Sequence, residues 1–154
     1  MYGYIRGEIK EINSNYIIIE NNGIGYQVYV PNPYSYQLNK EYTVHIYTKV
    51  AEDEYTLYGF RDKEQKELFL KLISVKGLGP KMALPILATG TISNISEAIE
   101  NNNLNYLKKF PKIGDKVAKQ MVLDLKGKLG VINKVDSNLS LEEQVKEALK
   151  LMLK

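Results

Sequence analysis

Val75-Lys76-Gly77-Leu78-Gly79-Pro80-Lys81-Met82-Ala83 decides how this chain is read, because Phe110-Pro111-Lys112-Ile113-Gly114-Asp115-Lys116-Val117-Ala118 echoes it. Laid one over the other, Val75 matches Phe110, Leu78 matches Ile113, Gly79 matches Gly114, Lys81 matches Lys116 and Ala83 matches Ala118. Each stretch reads as a helix-turn-helix hairpin able to grip phosphate. A tight turn between helices demands φ > 0, which glycine adopts without a Cβ penalty, and bare backbone lets a ligand oxygen approach the N–H groups. Pro80 suits the first helical position, where a missing N–H costs nothing. The amides left unpaired there, with the positive end of the helix dipole, form an anion site that Lys81 and Lys116 flank. A charge-assisted hydrogen bond to phosphate contributes roughly 1.5–3 kcal/mol, against about 0.3–1 kcal/mol for the dipole alone. Amides and lysines therefore dominate such a site.

The plainer alternative is that Gly-x-Gly merely turns two packed helices, since glycine is common at helix C-termini. One copy leaves the two readings balanced; a second copy with lysine at the same offset favours phosphate. A helical solenoid is set aside, because only two units are present and such arrays need at least three.

The 154 residues, 44% of them hydrophobic, suit one or two compact domains with real cores. No apolar run of about 18 residues and no basic-then-apolar leader is present, so neither a membrane span nor a secretory signal is expected. Cysteine is absent, which removes disulfides, thiolate metal sites and a Cys nucleophile. A cytoplasmic location is the expectation. The net charge of +3 is unevenly spread. Residues 1–62 hold 5 Lys/Arg and 8 Asp/Glu, a balance of −3, while residues 63–130 hold 12 Lys and 6 Asp/Glu, a balance of +6. Residues 131–154 hold 4 of each sign. The hairpin segment carries the positive charge, which favours nucleic acid over a small phosphorylated metabolite. Lysine-rich solvated helix faces are the competing explanation.

The first sixty residues read as strands. Ile5, Gly7 and Ile9 alternate with Arg6 and Glu8; Tyr16 to Ile19 is β-branched and aromatic; Asn21-Asn22-Gly23 is a hairpin signal before Gly25 to Val30. After the Pro31-Asn32-Pro33 break, Tyr42, Val44, Ile46, Thr48 and Val50 alternate again, and Thr56 to Phe60 supplies another strand. Five or six short strands without a long helix between them suggest a small closed barrel, of which the OB-fold is often a nucleic-acid platform. Periodicity does not separate it from an SH3-like barrel. The tyrosines (Tyr2, Tyr4, Tyr16, Tyr26, Tyr29, Tyr34 and Tyr36 among them) can stack on bases, though padding a small core is the commoner role. His45, the only histidine, falls on the polar phase of its strand and is expected to face solvent, giving little support to metal or triad chemistry. Glu52-Asp53-Glu54 places three carboxylates on one loop tip, ordinarily just a solvated turn. In a phosphate-binding protein they would repel backbone; Mg²⁺ ligation for nuclease work is the rival, and no carboxylates from other elements pair with them.

From Asp62 the period becomes helical. Asp62 with Gln65 resembles a capping box, and Leu68, Phe69, Leu72 and Ile73 form a stripe that delivers the chain into Gly77. The next helix runs from Pro80 to about Thr89 and stops at Gly90, with Pro85 kinking it or shifting its start. Thr91 or Ser93 can cap a short helix carrying Ile95 and Ile99, and Asn101-Asn102-Asn103 marks a turn before Leu104 and Leu107. The exit helix shows Val117, Met121, Val122, Leu125 and Leu129 on one face, with Lys116, Lys119 and Lys126 elsewhere. Residues 131–139 read as a linker. Ser140 and Glu143 open a last amphipathic helix within 140–154, too short to bury its stripe alone.

Four ordered motifs now carry a specific resemblance: Met1-Tyr2-Gly3-Tyr4-Ile5-Arg6-Gly7, Glu52-Asp53 followed by Leu57-Tyr58-Gly59-Phe60, and the two hairpins. Over roughly residues 1 to 130 the chain resembles the RuvA family, the Holliday-junction-binding subunits of the bacterial branch-migration machinery. The resemblance implies an α+β chain: an OB-fold barrel over 1–62, an all-α tandem helix-hairpin-helix domain over 63–130, and a short C-terminal helix after the linker. It implies a homotetramer, or an octamer of two, holding an open four-way junction. It places phosphate contacts at Lys76, Gly77, Gly79, Lys81, Lys112, Gly114, Lys116 and Lys119, mostly without base reading. Glu52 and Asp53 fall on the family's acidic pin, near the crossover. Neither cofactor nor metal nor catalytic residue is implied; the motor is a partner, the hexameric ATPase RuvB. Two departures stand out. Lys112 occupies a position where the second hairpin of the family usually has Gly, so a side-chain contact replaces one backbone approach. One helix follows the linker where the family carries a three-helix motor-binding domain, so that contact is abbreviated, weakened or absent, or the chain is a shortened form.

Two other classes compete with the scaffold. A hairpin-containing glycosylase or nuclease would use Asp115, Asp124 or the Glu52 cluster, but a glycosylase needs a base-extrusion pocket for which the basic segment is small. A general duplex-binding module would show no preference for branched DNA.

Overall fold

A computed structural model describes residues 1–129; the expected linker over 131–139 and helix over 140–154 lie outside the described residues. Five strands, β1 (Tyr4–Ile12), β2 (Tyr16–Asn21), β3 (Ile24–Tyr29), β4 (Glu41–Ala51) and β5 (Glu54–Phe60), close into a barrel in the order β1-β2-β3-β5-β4. The alternation foreseen in β1 and β4 is the alternation of the barrel wall: Ile5, Ile9, Val44 and Ile46 point inward to meet Ile17, Ile19, Val28 and Val30. Asn22 and Gly23 both take positive φ, 51 and 80, the twist a two-residue hairpin between β2 and β3 requires. β3 and β5 pair in parallel at Val28↔Leu57 and Tyr29↔Tyr58, while the other pairings are antiparallel. This order decides for the OB-fold over the SH3-like alternative.

β5 is buried on both faces, which is why it showed no clean alternation. Leu57 faces the barrel interior, whereas Tyr58 and Phe60 join the helical core. There Phe69 meets Phe60 at 4.6 Å and Tyr58 at 5.7 Å between ring centroids. Each such pair contributes about 0.5–1.5 kcal/mol beyond its buried area, so one strand fastens barrel to helices. Burial there pushes the Tyr58 hydroxyl up to about 12.

The helices are α1 (Lys63–Ile73), α2 (Pro80–Thr89), α3 (Ile92–Glu100), α4 (Leu104–Leu107) and α5 (Asp115–Leu125). Asp62 caps α1 by accepting from the Gln65 amide at 2.7 Å, while the Gln65 side chain reaches back to the Arg61 amide rather than to Asp62. Thr91 caps α3 through the Asn94 amide and Asn103 caps α4 through that of Tyr106. α2 spans Pro80–Thr89 and is capped at Gly90 as expected, and since it runs through Pro85, that proline does not shift its start. One expectation needs correction. α5 ends at Leu125, because Gly127 turns the chain with φ 80; its amide donates to Glu100, and Leu129 is buried from beyond the helix. Among the described residues no helix is long and apolar enough to cross a membrane.

Candidate nucleic-acid interface

The two hairpins share one backbone path. In the first, α1 unwinds through Val75, the Leu78 amide donates to the Val75 carbonyl at 3.1 Å, Gly77 takes φ 90, and Gly79 serves as N-cap of α2. In the second, the Ile113 amide donates to Phe110 at 3.2 Å, Lys112 takes φ 65, and Gly114 serves as N-cap of α5. Val75, Leu78, Phe110 and Ile113 are all buried, anchoring both loops from within. Lys112 thus keeps the left-handed turn of Gly77, at a cost of about 1–2 kcal/mol for its Cβ.

The two N-cap glycines share an unobstructed setting. Gly79 (φ −94) and Gly114 (φ −96) have conformations open to any residue, and a Cβ added at either would meet nothing within 4 Å. Neither backbone strain nor packing within the chain accounts for glycine at both caps. Glycine at these caps leaves the helix amides open to close approach from outside. No side chain caps either N-terminus.

Lys76, Lys81, Lys112, Lys116 and Lys119 are all exposed. They do not converge on one spot. Lys76, Gly77 and Lys116 line a hollow of about 330 Å³ with Val117 and Gln120, bringing the first loop to the start of the second exit helix. Lys81 instead lines a cleft of about 360 Å³ between α2 and the barrel, with Asn15, Tyr29 and Pro85, and its charge helps hold the Glu54 carboxyl down. Lys112 and Lys119 line neither hollow.

The acidic turn is smaller than its sequence suggests. Glu52 and Asp53 form the exposed two-residue tip joining β4 to β5. Glu54 is already strand, opposite Ala51, accepting from Thr56 Oγ1 at 3.0 Å and paired with Lys49 at 3.2 Å. The Thr56 hydrogen bond, then Lys49, lowers its carboxyl below the usual value. The tip therefore presents two free carboxylates, not three.

The carboxylates of the enzyme reading lie apart. Asp115 pairs with Lys108 at 2.8 Å, which lowers its carboxyl, and Asp124 binds the Lys76 amide and the Gln120 side chain. Among the described residues no group of three or more His, Asp or Glu could hold a metal ion. His45 is half-buried rather than solvent-facing, in a hollow of about 760 Å³ with Arg6, Lys63 and Lys66. The tyrosines divide: Tyr36 and Tyr58 are core, while Tyr2, Tyr4, Tyr34 and Tyr55 are exposed. The hydrogen bond from the Lys76 amide to Asp124 spans 48 residues, so no local spacing in the sequence signals it.

Comparison with known proteins agrees with this geometry. A family model described as "RuvA N terminal domain" matches residues 1–59, and one described as "SAM-like Helix-hairpin-helix tandem" matches residues 69–127. A Pediococcus pentosaceus protein named "Holliday junction branch migration complex subunit RuvA" is 47% identical over 149 residues, covering 97% of this chain and 76% of the relative. This chain belongs to the RuvA family. A Streptococcus pneumoniae protein of the same name is 48% identical over 161 aligned positions, covering 99% of this chain and 82% of the relative. Within this RuvA-family chain, the barrel match spans the strands that carry the Glu52–Asp53 tip, and the tandem match spans both glycine-capped hairpins.

Proposed function

We propose that this chain binds four-way junction DNA as a non-enzymatic scaffold that holds the junction open for migration driven by a RuvB-like hexameric ATPase, as a homotetramer or an octamer of two, in the cytoplasm. The observation that carries the reading is the pair of N-cap glycines whose missing side chains face open space beside exposed lysines. The names of the relatives support the same reading. Lys76, Gly77 and Lys116 would take phosphate at the hollow that joins the two hairpins, Gly79 and Lys81 at the start of α2, and Lys112, Gly114 and Lys119 along the second turn and its exit helix, without reading bases. Glu52 and Asp53 would stand at the crossover, where each carboxylate at ~7 Å from a phosphate adds roughly 0.6 kcal/mol of repulsion even in water. Four copies of such a tip would keep strands apart rather than bind them.

The test is competition between a synthetic four-way junction and linear duplex of equal nucleotide content, at moderate salt with EDTA. A junction preference of about a hundredfold or more is expected, a ratio that generic duplex binding does not reach. Equal binding would reduce the chain to a duplex-binding module. Strand scission or an abasic product, when excess protein is incubated with Mg²⁺ and labelled junction or lesion duplex, would overturn the scaffold reading.

A further inference from the structure

We propose that Asp124 is a positioning residue for phosphate binding at the first hairpin: from α5 it fixes the Lys76 amide and thereby holds the Gly77 turn against the start of the second exit helix. This rests on the DNA-binding reading above and names a residue that makes that site rigid. The Lys76 N–H donates to Asp124 Oδ2 at 3.2 Å, and Gln120 Nε2 donates to Oδ1 at 2.9 Å, so both carboxylate oxygens are engaged and the side chain is oriented from its own helix. The bond crosses from one hairpin to the other. Beside it, Lys76, Gly77, Lys116, Val117 and Gln120 enclose the hollow that joins the two, and Val117 Cγ2 lies 4.0 Å from where a Gly77 Cβ would stand.

The repeat itself shows why this tie has no counterpart at the matching place in the second hairpin. The position matching Lys76 in the second hairpin is Pro111, which has no N–H to satisfy. The positions matching Gln120 and Asp124 in α2 are Pro85 and Thr89, and the Thr89 hydroxyl bonds back to the Pro85 carbonyl within its own helix. An acid beside a phosphate site would ordinarily weaken it. Here the carboxylate is occupied by an amide, a carboxamide and the nearby charges of Lys128 and Lys76. What it contributes is a loop already in its bound shape, and preorganisation lowers the ordering cost of binding.

Three variants decide this: Asp124→Ala removes the acceptor, Asp124→Asn keeps a carbonyl oxygen without the charge, and Gln120→Ala frees one oxygen. Junction affinity, its salt dependence and hydrogen exchange of the Lys76 amide in the free protein are read for each. Asp124→Ala is expected to lower junction affinity roughly tenfold, the scale of one lost charge-assisted hydrogen bond, and to lower the log-log salt slope by about 0.9, one phosphate. Lys76 exchange should accelerate at the same time. Asp124→Asn should restore most of the affinity and the protection. Wild-type affinity in Asp124→Ala, an equal loss in Asp124→Asn, or unchanged Lys76 exchange overturns the proposal. If Asp124→Ala does not fold, Gln120→Ala must show a smaller change in the same direction, and its absence counts against the proposal. Wild-type protein that fails to bind DNA at all strikes the reading of function instead, and is seen before any variant is compared.

Discussion

Gly77 and Lys112 stand at the same place in the two hairpins and share a left-handed backbone, φ 90 and 65. One residue is built for that conformation and the other is forced into it. The second turn is closed by the same hydrogen bond as the first and anchored by buried Phe110 and Ile113, so the surrounding packing imposes the strain on Lys112. The exposed amine it gains is one more cation on the candidate interface.

Lys112→Gly should therefore stabilise the fold. Relief of about 1–2 kcal/mol, less the roughly 0.5–1 kcal/mol that glycine loses in chain entropy, leaves a net gain of about 0–1.5 kcal/mol, centred on ~0.75 kcal/mol. Gly77→Ala should be destabilising by the same balance, the left-handed penalty of about 1–2 kcal/mol less the roughly 0.5–1 kcal/mol of chain entropy that alanine recovers, since its Cβ would meet only Val117, at 4.0 Å. Urea unfolding of the two variants checks both signs; a destabilised Lys112→Gly would contradict the account of the turn.

Glu54 should make stability depend on pH. The Glu54 carboxyl is lowered in the fold, first by Thr56 and then by Lys49, so it stabilises the protein above its ordinary value of 4.5, and that contribution disappears as pH falls through the lower folded value. Glu54→Gln should be less stable than wild type at pH 7 and equal to it in strong acid. Denaturant midpoints at several pH values decide it, and a gap that persists in acid would remove the carboxylate from the explanation.

Neutralising the tip should change selectivity rather than fold. With Glu52→Gln and Asp53→Asn together, linear duplex should bind more tightly by up to about threefold per carboxylate, from roughly 0.6 kcal/mol each, and junction preference should shrink. Equal change for junction and duplex in the competition assay would show that the tip does not sit near the crossover.

Lys81 and Lys116 should each account for about one phosphate. Alanine at either should lower the log-log salt slope of junction binding by about 0.9. Affinity lost at constant slope would make that lysine structural. For Lys81 this is a real alternative, because its side chain lies in the cleft beside the barrel and close enough to act on Glu54.

The parts of the fold legible in sequence are those set by local pattern. β1 and β4 have one buried face, so Ile5, Ile9, Val44 and Ile46 announced themselves by alternation. The barrel order was not legible, because it depends on the parallel contact of Val28 with Leu57 across the chain. β5 concealed its dual role by burying both faces, and Glu54 was grouped with the tip because adjacency does not show where a strand starts. At the candidate interface the repeat exposed Gly79, Gly114, Lys81 and Lys116, and it also flagged Lys112 as the odd residue. It could not say that Lys112 would take the left-handed turn regardless, nor that Asp124 would reach Lys76 from the other hairpin.

If the N-cap glycines are there for phosphate, stability and junction affinity should come apart in Gly79→Ala and Gly114→Ala. Both positions have ordinary backbone angles and open space for a methyl group, so alanine's poorer N-cap propensity, on the order of 1 kcal/mol or less, is offset by the ~0.4–1 kcal/mol it recovers in unfolded-chain entropy, and unfolding free energy should stay close to wild type. Junction affinity should nevertheless fall by at least about tenfold in each, and further in the double variant, as phosphate is held off the helix amides. Unchanged junction binding in both variants, or a loss of binding that only tracks a loss of stability, would contradict the account.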